Sequence, residues 1–142
     1  GKTPMIYFIM QDMGRNSKST LRNLGIPVYK RDIFRDLAAP VTETIHEAGY
    51  VYNDLKPDNI LLDFQSKSLD SVNLVDFGFS TKYLDKDGKH LPQRDLESFR
   101  GNMLFASSNQ FEFKSTSRRD DLISLLYLMV YLLNKDLPWL TE

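Results

Sequence analysis

Cysteine is absent from this 142-residue chain, which excludes a disulfide scaffold and any thiolate metal site. Two histidines, His46 and His90, cannot build a zinc centre alone, and a hydrogen-bonding role in core or surface is the default for each. Long apolar runs are missing as well. The longest, Leu122 to Leu133, is interrupted by Tyr127 and Tyr131 and falls short of the about 20 residues that a membrane span needs. No membrane insertion is expected. Charge of one sign is not in excess: 18 basic against 19 acidic side chains leave a net charge of −1, which excludes a generally basic nucleic-acid binder. Gly1 to Pro4 lead into a short apolar run rather than a long h-region, so no signal peptide is expected. Position 1 is glycine, not methionine, and the chain reads as an excerpt of a longer one.

What is present supports a packed core. Hydrophobic residues are 42% of the chain and charged ones 26%, the balance of one domain or a piece of one. Met5 to Met10 is a short apolar run rich in strand formers and reads as a buried strand. Asp12 to Lys18 reads as a loop, and Leu21 and Leu24, ended by Gly25, as a short helix. From Lys30 to Ala48 the apolar positions Ile33, Leu37, Val41 and Ile45 recur every four residues, with Gly49 where a C-terminal cap belongs. Pro40 inside that helix predicts a kink near Ala38-Ala39. Tyr50 to Tyr52 reads as a very short strand, and Ile60 to Asp63 and Val72 to Val75 as two strands joined by a polar turn. Thr81 to Gly101 is charged and irregular, with Asp87-Gly88 as a turn, and is long enough to suggest function or disorder. Leu122 to Leu133 keeps helical spacing with apolar residues on all faces, the pattern of a helix buried at a domain's centre.

Three segments carry chemistry. The first is Tyr52-Asn53-Asp54-Leu55-Lys56-Pro57-Asp58-Asn59, the second Asp76-Phe77-Gly78 after a strand, and the third Ser117-Arg118-Arg119-Asp120-Asp121-Leu122 at the start of the apolar helix. Alone, each has an ordinary reading: Asp54 as a turn residue, Asp76 to Gly78 as a common post-strand turn, Asp121 as a helix N-terminal charge. Together, an aspartate five residues before an asparagine and a second aspartate after the next strand give the spacing of a phosphotransfer site. Phosphoryl transfer needs alignment and charge neutralisation. A carboxylate, Asp54, orients the acceptor hydroxyl, and the cation Lys56 offsets developing negative charge. Asn59 and Asp76 offer the oxygen ligands that Mg2+ prefers.

These segments, with Leu74-Val75-Asp76-Phe77-Gly78 and Ala106-Ser107-Ser108-Asn109, resemble the C-terminal lobe of a eukaryotic protein kinase, most similar to the casein kinase 1 family, with the vaccinia-related kinases second. Casein kinase 1 proteins carry Ser-Ile-Asn where most kinases have Ala-Pro-Glu, and Ser108 stands here at the Ile. The resemblance covers nearly the whole chain. It implies an α+β fold: the mostly helical C-terminal lobe of a kinase domain, residues 1–142 being part of that domain, with short strands around the catalytic loop and a buried central helix. It further implies ATP and Mg2+ as cofactors, Asp54, Lys56, Asn59 and Asp76 as catalytic residues, and Asn59 and Asp76 as metal ligands. Phe8 to Gly14 resembles the last N-lobe strand and hinge. Met10 would be the gatekeeper, the backbone of Gln11 and Met13 would hold adenine, and Leu61 and Val75 would floor the pocket. Asp121 would tie the central helix to the catalytic loop. Implied partners are protein substrates or scaffold proteins and the remainder of the same kinase domain. An intracellular setting is implied, with cytoplasm, nucleus and cytoskeletal or ciliary structures all compatible.

Some positions depart from the family. No glycine-rich loop, strand lysine or helix glutamate precedes Met5, and the chain stops just past Leu137-Pro138-Trp139; an excerpt of a longer chain is the simplest account and a genuine half-kinase the alternative. Tyr52-Asn53 stands for His-Arg, and losing that arginine removes the usual anchor for a phosphorylated activation loop. Asn102 replaces a threonine that bridges the catalytic aspartate and lysine, Leu104 an anion-binding arginine, and Leu126 a glycine. Two readings stand: a serine/threonine kinase, and a non-catalytic kinase-like module acting as a structural or scaffolding component of a larger assembly. Retention of Asp54, Lys56, Asn59 and Asp76 supports the first; the departures support the second.

Overall fold

A computed structural model describes residues 3–4, 38–62, 72–134 and 136–140. The strand expected at Met5 to Met10, the loop and helix expected before Lys30, and the hinge residues Met10, Gln11 and Met13 lie outside these.

Among the described residues the elements run β1 (Thr3–Pro4), α1 (Pro40–His46), β2 (Tyr50–Val51), β3 (Ile60–Leu62), β4 (Val72–Leu74), β5 (Thr81–Lys82), α2 (Ser108–Phe111) and α3 (Arg118–Asn134). A single 3₁₀ turn, Pro57–Asn59, delivers the chain into β3. β3 pairs antiparallel with β4, Ile60 opposite Leu74, and β1 pairs on its other edge. β2 and β5 form a separate antiparallel pair, Val51 opposite Thr81. The expected strands at Tyr50, Ile60 and Val72 are all present.

The kink expected at Pro40 takes the form of a widened turn: α1 is a π-helix, with Ala38 and Ala39 leading in as ordinary helix. Proline brings no N–H to the ladder and crowds the preceding turn, and the Thr42 hydroxyl bonds the Ala38 carbonyl at 3.0 Å. Val41 and Ile45, four apart, are buried as their spacing predicts. Gly49 ends the element at φ +85, a left-handed conformation in which a Cβ is strained.

α3 departs from expectation. Leu125, Leu128, Met129 and Leu132 are buried, but Leu122 and Leu126 are 41% and 54% exposed, so the helix buries one broad face and not its whole circumference. The buried face meets Val41 and Ile45 of α1, Tyr52 and Leu55 of the loop after β2, Ile60 of β3, Phe105 and Leu137 in one apolar cluster. The loop bearing Asp54 is thus backed by the core. Helical spacing cannot distinguish apolar residues that face this core from those that do not.

Candidate active site

The loop 52–59 alternates apolar anchors with polar groups. Tyr52, Leu55 and Ile60 sink into the core at 1% exposure or less, and this fixes the intervening residues. Asp54 is itself buried at 1%, and its carboxylate is held from both sides. Asn59 Nδ2 donates to Asp54 Oδ2 and to the Asp54 carbonyl, each at 3.0 Å. Asn102 Nδ2 donates to Asp54 Oδ1 at 3.1 Å and to the Leu55 carbonyl at 3.0 Å. Lys56 Nζ stands 3.8 Å from Asp54 Oδ2 on a side chain about one-third exposed, so its ammonium reaches the same carboxylate from the open side. A buried carboxylate with a fixed donor on each oxygen is held in one orientation.

Asp76 follows β4. Because Val75 N donates to the Asn59 carbonyl at 3.0 Å, Asp76 begins beside the end of the catalytic loop. It sits at φ +58, which aspartate tolerates better than most residues, and its Oδ1 accepts from Gly78 N at 3.2 Å. Asp76 is exposed while Asn59 is buried, so a ligand between them meets one amide and one solvent-facing carboxylate. Among the described residues no group of three or more His, Cys, Asp or Glu forms a metal cage. One carboxylate and one amide oxygen nevertheless fit a magnesium ion, which keeps several waters and takes its remaining ligands from phosphate. Tyr52 bridges the two parts: its hydroxyl donates to the Val75 carbonyl and its ring meets Phe77 edge-on at 5.5 Å. Burial raises the Tyr52 phenol far above its ordinary value, and the charges of Asp54 and Asp76 push the same way.

α3 holds this loop through its first turn. Asp121 accepts from Tyr52 N at 2.7 Å and Asn53 N at 2.8 Å, and His46 Nε2 lies 2.8 Å from the same carboxylate. The tie from helix to loop is therefore real, and His46 is a core hydrogen-bonding histidine. The neighbouring Asp120 performs the parallel task for the later segment, accepting from Ser107 Oγ at 2.7 Å, Asn109 Nδ2 at 3.0 Å and Ser117 N at 2.8 Å.

Sequence reasoning assigned no role to Gln110, Thr116 or the Ser107 cap. Ser107 and Gln110 form a capping box on α2, and Gln110 Nε2 then donates to the carbonyls of Asn53 at 2.9 Å and Arg100 at 2.7 Å. The Ser-x-x-Gln spacing signalled the cap; nothing local signalled the partners. Gly101, at φ +118, passes so close that a Cβ there would stand 2.4 Å from the Asn53 carbonyl oxygen. Asn102, seen in sequence only as a departure, supplies the donor that its position requires. Val75 is half-buried at the end of β4, and the backbone of Leu61 pairs with Asn73 and Pro4.

A protein kinase domain family model matches residues 5–142. A probable casein kinase I homolog of Encephalitozoon cuniculi is 39% identical over 98 residues, covering 69% of this chain and 30% of the relative. Casein kinase I homolog 2 of Schizosaccharomyces pombe is 40% identical over 99 residues, covering 68% and 23%. The chain thus spans less than a third of the length of these curated relatives. A buried, doubly held aspartate beside a cation and a second aspartate, built on a match along nearly the entire chain, leads to one assignment: the chain belongs to the protein kinase domain family, in its casein kinase I branch.

Proposed function

We propose that the protein carrying this chain is a serine/threonine protein kinase that transfers the γ-phosphate of ATP to protein hydroxyls, with Asp54, Lys56, Asn59 and Asp76 as its catalytic residues. The observation that carries the reading is the Asp54 carboxylate, buried, held by Asn59 and Asn102 and faced by Lys56. Its fixed oxygens orient the hydroxyl of a substrate serine or threonine and take up its hydrogen bond as the proton is lost. The Lys56 ammonium, 3.8 Å from that carboxylate, would offset charge building on the transferred phosphoryl group. Kinases of this family generally use ATP with Mg2+, and Asn59 and Asp76 would hold the ion. Bound magnesium supplies charge neutralisation for the phosphates; the residues' own part is to present an amide oxygen and a carboxylate at the mouth of the loop. Adenine would lie over Leu61 and Val75, with Met10, Gln11 and Met13 at the hinge. Protein substrates, the rest of the kinase domain and an intracellular setting belong to the same reading.

The test uses the full-length protein. Asp54→Asn should abolish phosphate incorporation into a generic protein substrate while calorimetric ATP binding persists. Asp76→Asn should remove the magnesium dependence of ATP binding, because it deletes a metal-ligand charge and no packing volume. Magnesium dependence that survives Asp76→Asn would place the metal elsewhere. A wild-type protein that binds no ATP and transfers no phosphate would leave the scaffolding reading.

A further inference from the structure

Asn53 adjoins Asp54, is 4% exposed, and sits at φ +70, a left-handed conformation that asparagine adopts more readily than most residues. Each of its hydrogen-bonding groups is engaged. Its N–H donates to Asp121 Oδ1 at 2.8 Å, and its carbonyl accepts from Gln110 Nε2 at 2.9 Å. Its Nδ2 donates to the Phe79 carbonyl at 2.9 Å and to Thr81 Oγ1 at 3.0 Å. Its Oδ1 accepts from the Thr116 hydroxyl at 2.5 Å. A terminal amide suits this set because it presents donors on one atom and an acceptor on the other; a carboxylate would meet the Phe79 carbonyl without a donor, and a lysine would offer Thr116 no acceptor.

We propose that Asn53 is a positioning residue, an uncharged clasp that fixes the two ends of the segment 79–116 to the loop carrying Asp54. Phe79 and Thr81 lie at the start of that segment and Thr116 at its end, so one side chain closes it. The close passage of Gly101 against the Asn53 carbonyl leaves the residue no room to shift in that direction. Since the Asp121 tie and the Gln110 tie act on the Asn53 backbone, a side chain that pulls this residue out of place moves the backbone of Asp54 with it. The clasp's own contacts, from the Asn53 side chain to Phe79, Thr81 and Thr116, are neutral hydrogen bonds, in which neither a phosphate nor an ion pair takes part.

The effect on rate rests on the kinase reading above; the effect on order does not. The experiment pairs steady-state kinetics with amide hydrogen exchange in the full-length protein, for wild type, Asn53→Ala, Thr81→Val, Thr81→Ser, Thr116→Val and the double variant Asn53→Ala/Thr116→Val. Asn53→Ala, which removes three side-chain hydrogen bonds, should lower kcat by about tenfold or more, with KM for ATP within about twofold. Thr81→Ser, which keeps the hydroxyl, should restore what Thr81→Val loses. The double variant should be no slower than Asn53→Ala alone, since both changes break one connection. Amides of residues 80–83 and 114–116 should exchange faster in Asn53→Ala. Faster exchange in Asn53→Ala, in a protein whose wild type shows no kinase activity, would sink the kinase reading and keep the clasp. Unchanged exchange, additive rate losses, or Thr81→Ser behaving like Thr81→Val would each overturn the clasp.

Discussion

At the scale of single residues, polar partners decide the site. Asn102 shows how a substitution that looks like a loss in sequence acquires a function in space. Its Nδ2 holds Asp54 Oδ1 while its Oδ1 accepts from Phe105 N at 2.9 Å, so one side chain joins the carboxylate to the chain beyond it. Asn102→Ala should therefore slow phosphotransfer and cost about 1–3 kcal/mol of stability, the penalty for leaving such groups unpaired. Urea unfolding and initial rates on one preparation check both. Tyr52 gives a second prediction. Its phenol is neutral when protonated, and burial raises its pKa above the ordinary 10.0, so the folded state retains a proton that the unfolded chain releases. The contribution is complete below pH 10 and is lost as pH climbs above it. Stability measured between pH 9 and 11 should fall more steeply in wild type than in Tyr52→Phe, by up to about 1.4 kcal/mol per pH unit. Parallel curves would mean that Tyr52 ionises as readily in the fold as out of it.

At the scale of elements, α3 organises the fold through two different regions. Its first turn carries two buried carboxylates after the exposed Arg118 and Arg119, Asp120 serving the segment 107–117 and Asp121 the loop 52–59. Asp121→Ala should leave the Tyr52 and Asn53 amides without their acceptor and cost about 3 kcal/mol, with activity falling in parallel. Activity retained in a folded Asp121→Ala protein would show that the loop is positioned by other contacts. Its middle is apolar, but only one face is covered. Leu128→Ala, at a position with 0% exposure, should cost about 2–5 kcal/mol, whereas Leu126→Glu, at 54%, should stay within about 0.5 kcal/mol. Chemical denaturation of the two variants separates the faces. The four-residue spacing in α1 was legible in the same way as this helix, because it is a local rule; the Ser-x-x-Gln box of α2 is a local signal too, but it was not read from the sequence. In the charged stretch after Thr81 only the turn at Asp87-Gly88 was legible, closed by Gly88 N donating to the Asp85 carbonyl at 3.1 Å. It contains the strand Thr81–Lys82, a Leu84–His90 bridge, and an Asp95–Lys114 bridge that no local pattern announces.

At the scale of the molecule, the described residues form one apolar cluster, and the loop bearing Asp54 lies along it. Among these residues no helix is long and apolar enough to cross a membrane. Apolar side chains following Asn102 are exposed: Met103 is 70% exposed and Leu104 45%, and Trp139, 48% exposed, donates its Nε1 to the Leu104 carbonyl at 3.0 Å. The 142 residues contain no glycine-rich phosphate loop, and they span 30% and 23% of the two relatives. A polypeptide of these residues alone should therefore show no measurable phosphotransfer. Radiolabelled ATP with magnesium tests this, and incorporation that vanishes in Asp54→Ala would contradict it.

The sequence by itself determined the short strands, the capped end of α1, the apolar helix and the order Asp54, Lys56, Asn59, Asp76. Each depends on near neighbours, through helical or strand periodicity, a terminal glycine, or a motif whose spacing is counted along the chain. Only the tertiary structure decided which face of α3 is covered, that Asn102 holds Asp54, and that Asn53 gathers Phe79, Thr81 and Thr116 around its side-chain amide and Gln110 at its backbone carbonyl. Those hydrogen bonds join residues 26 to 63 positions apart. Burial makes each of them necessary, because a polar group withdrawn from water must find a partner. Which partner it finds is set by how the strands, the segment and the helix pack, and no spacing along the chain encodes that.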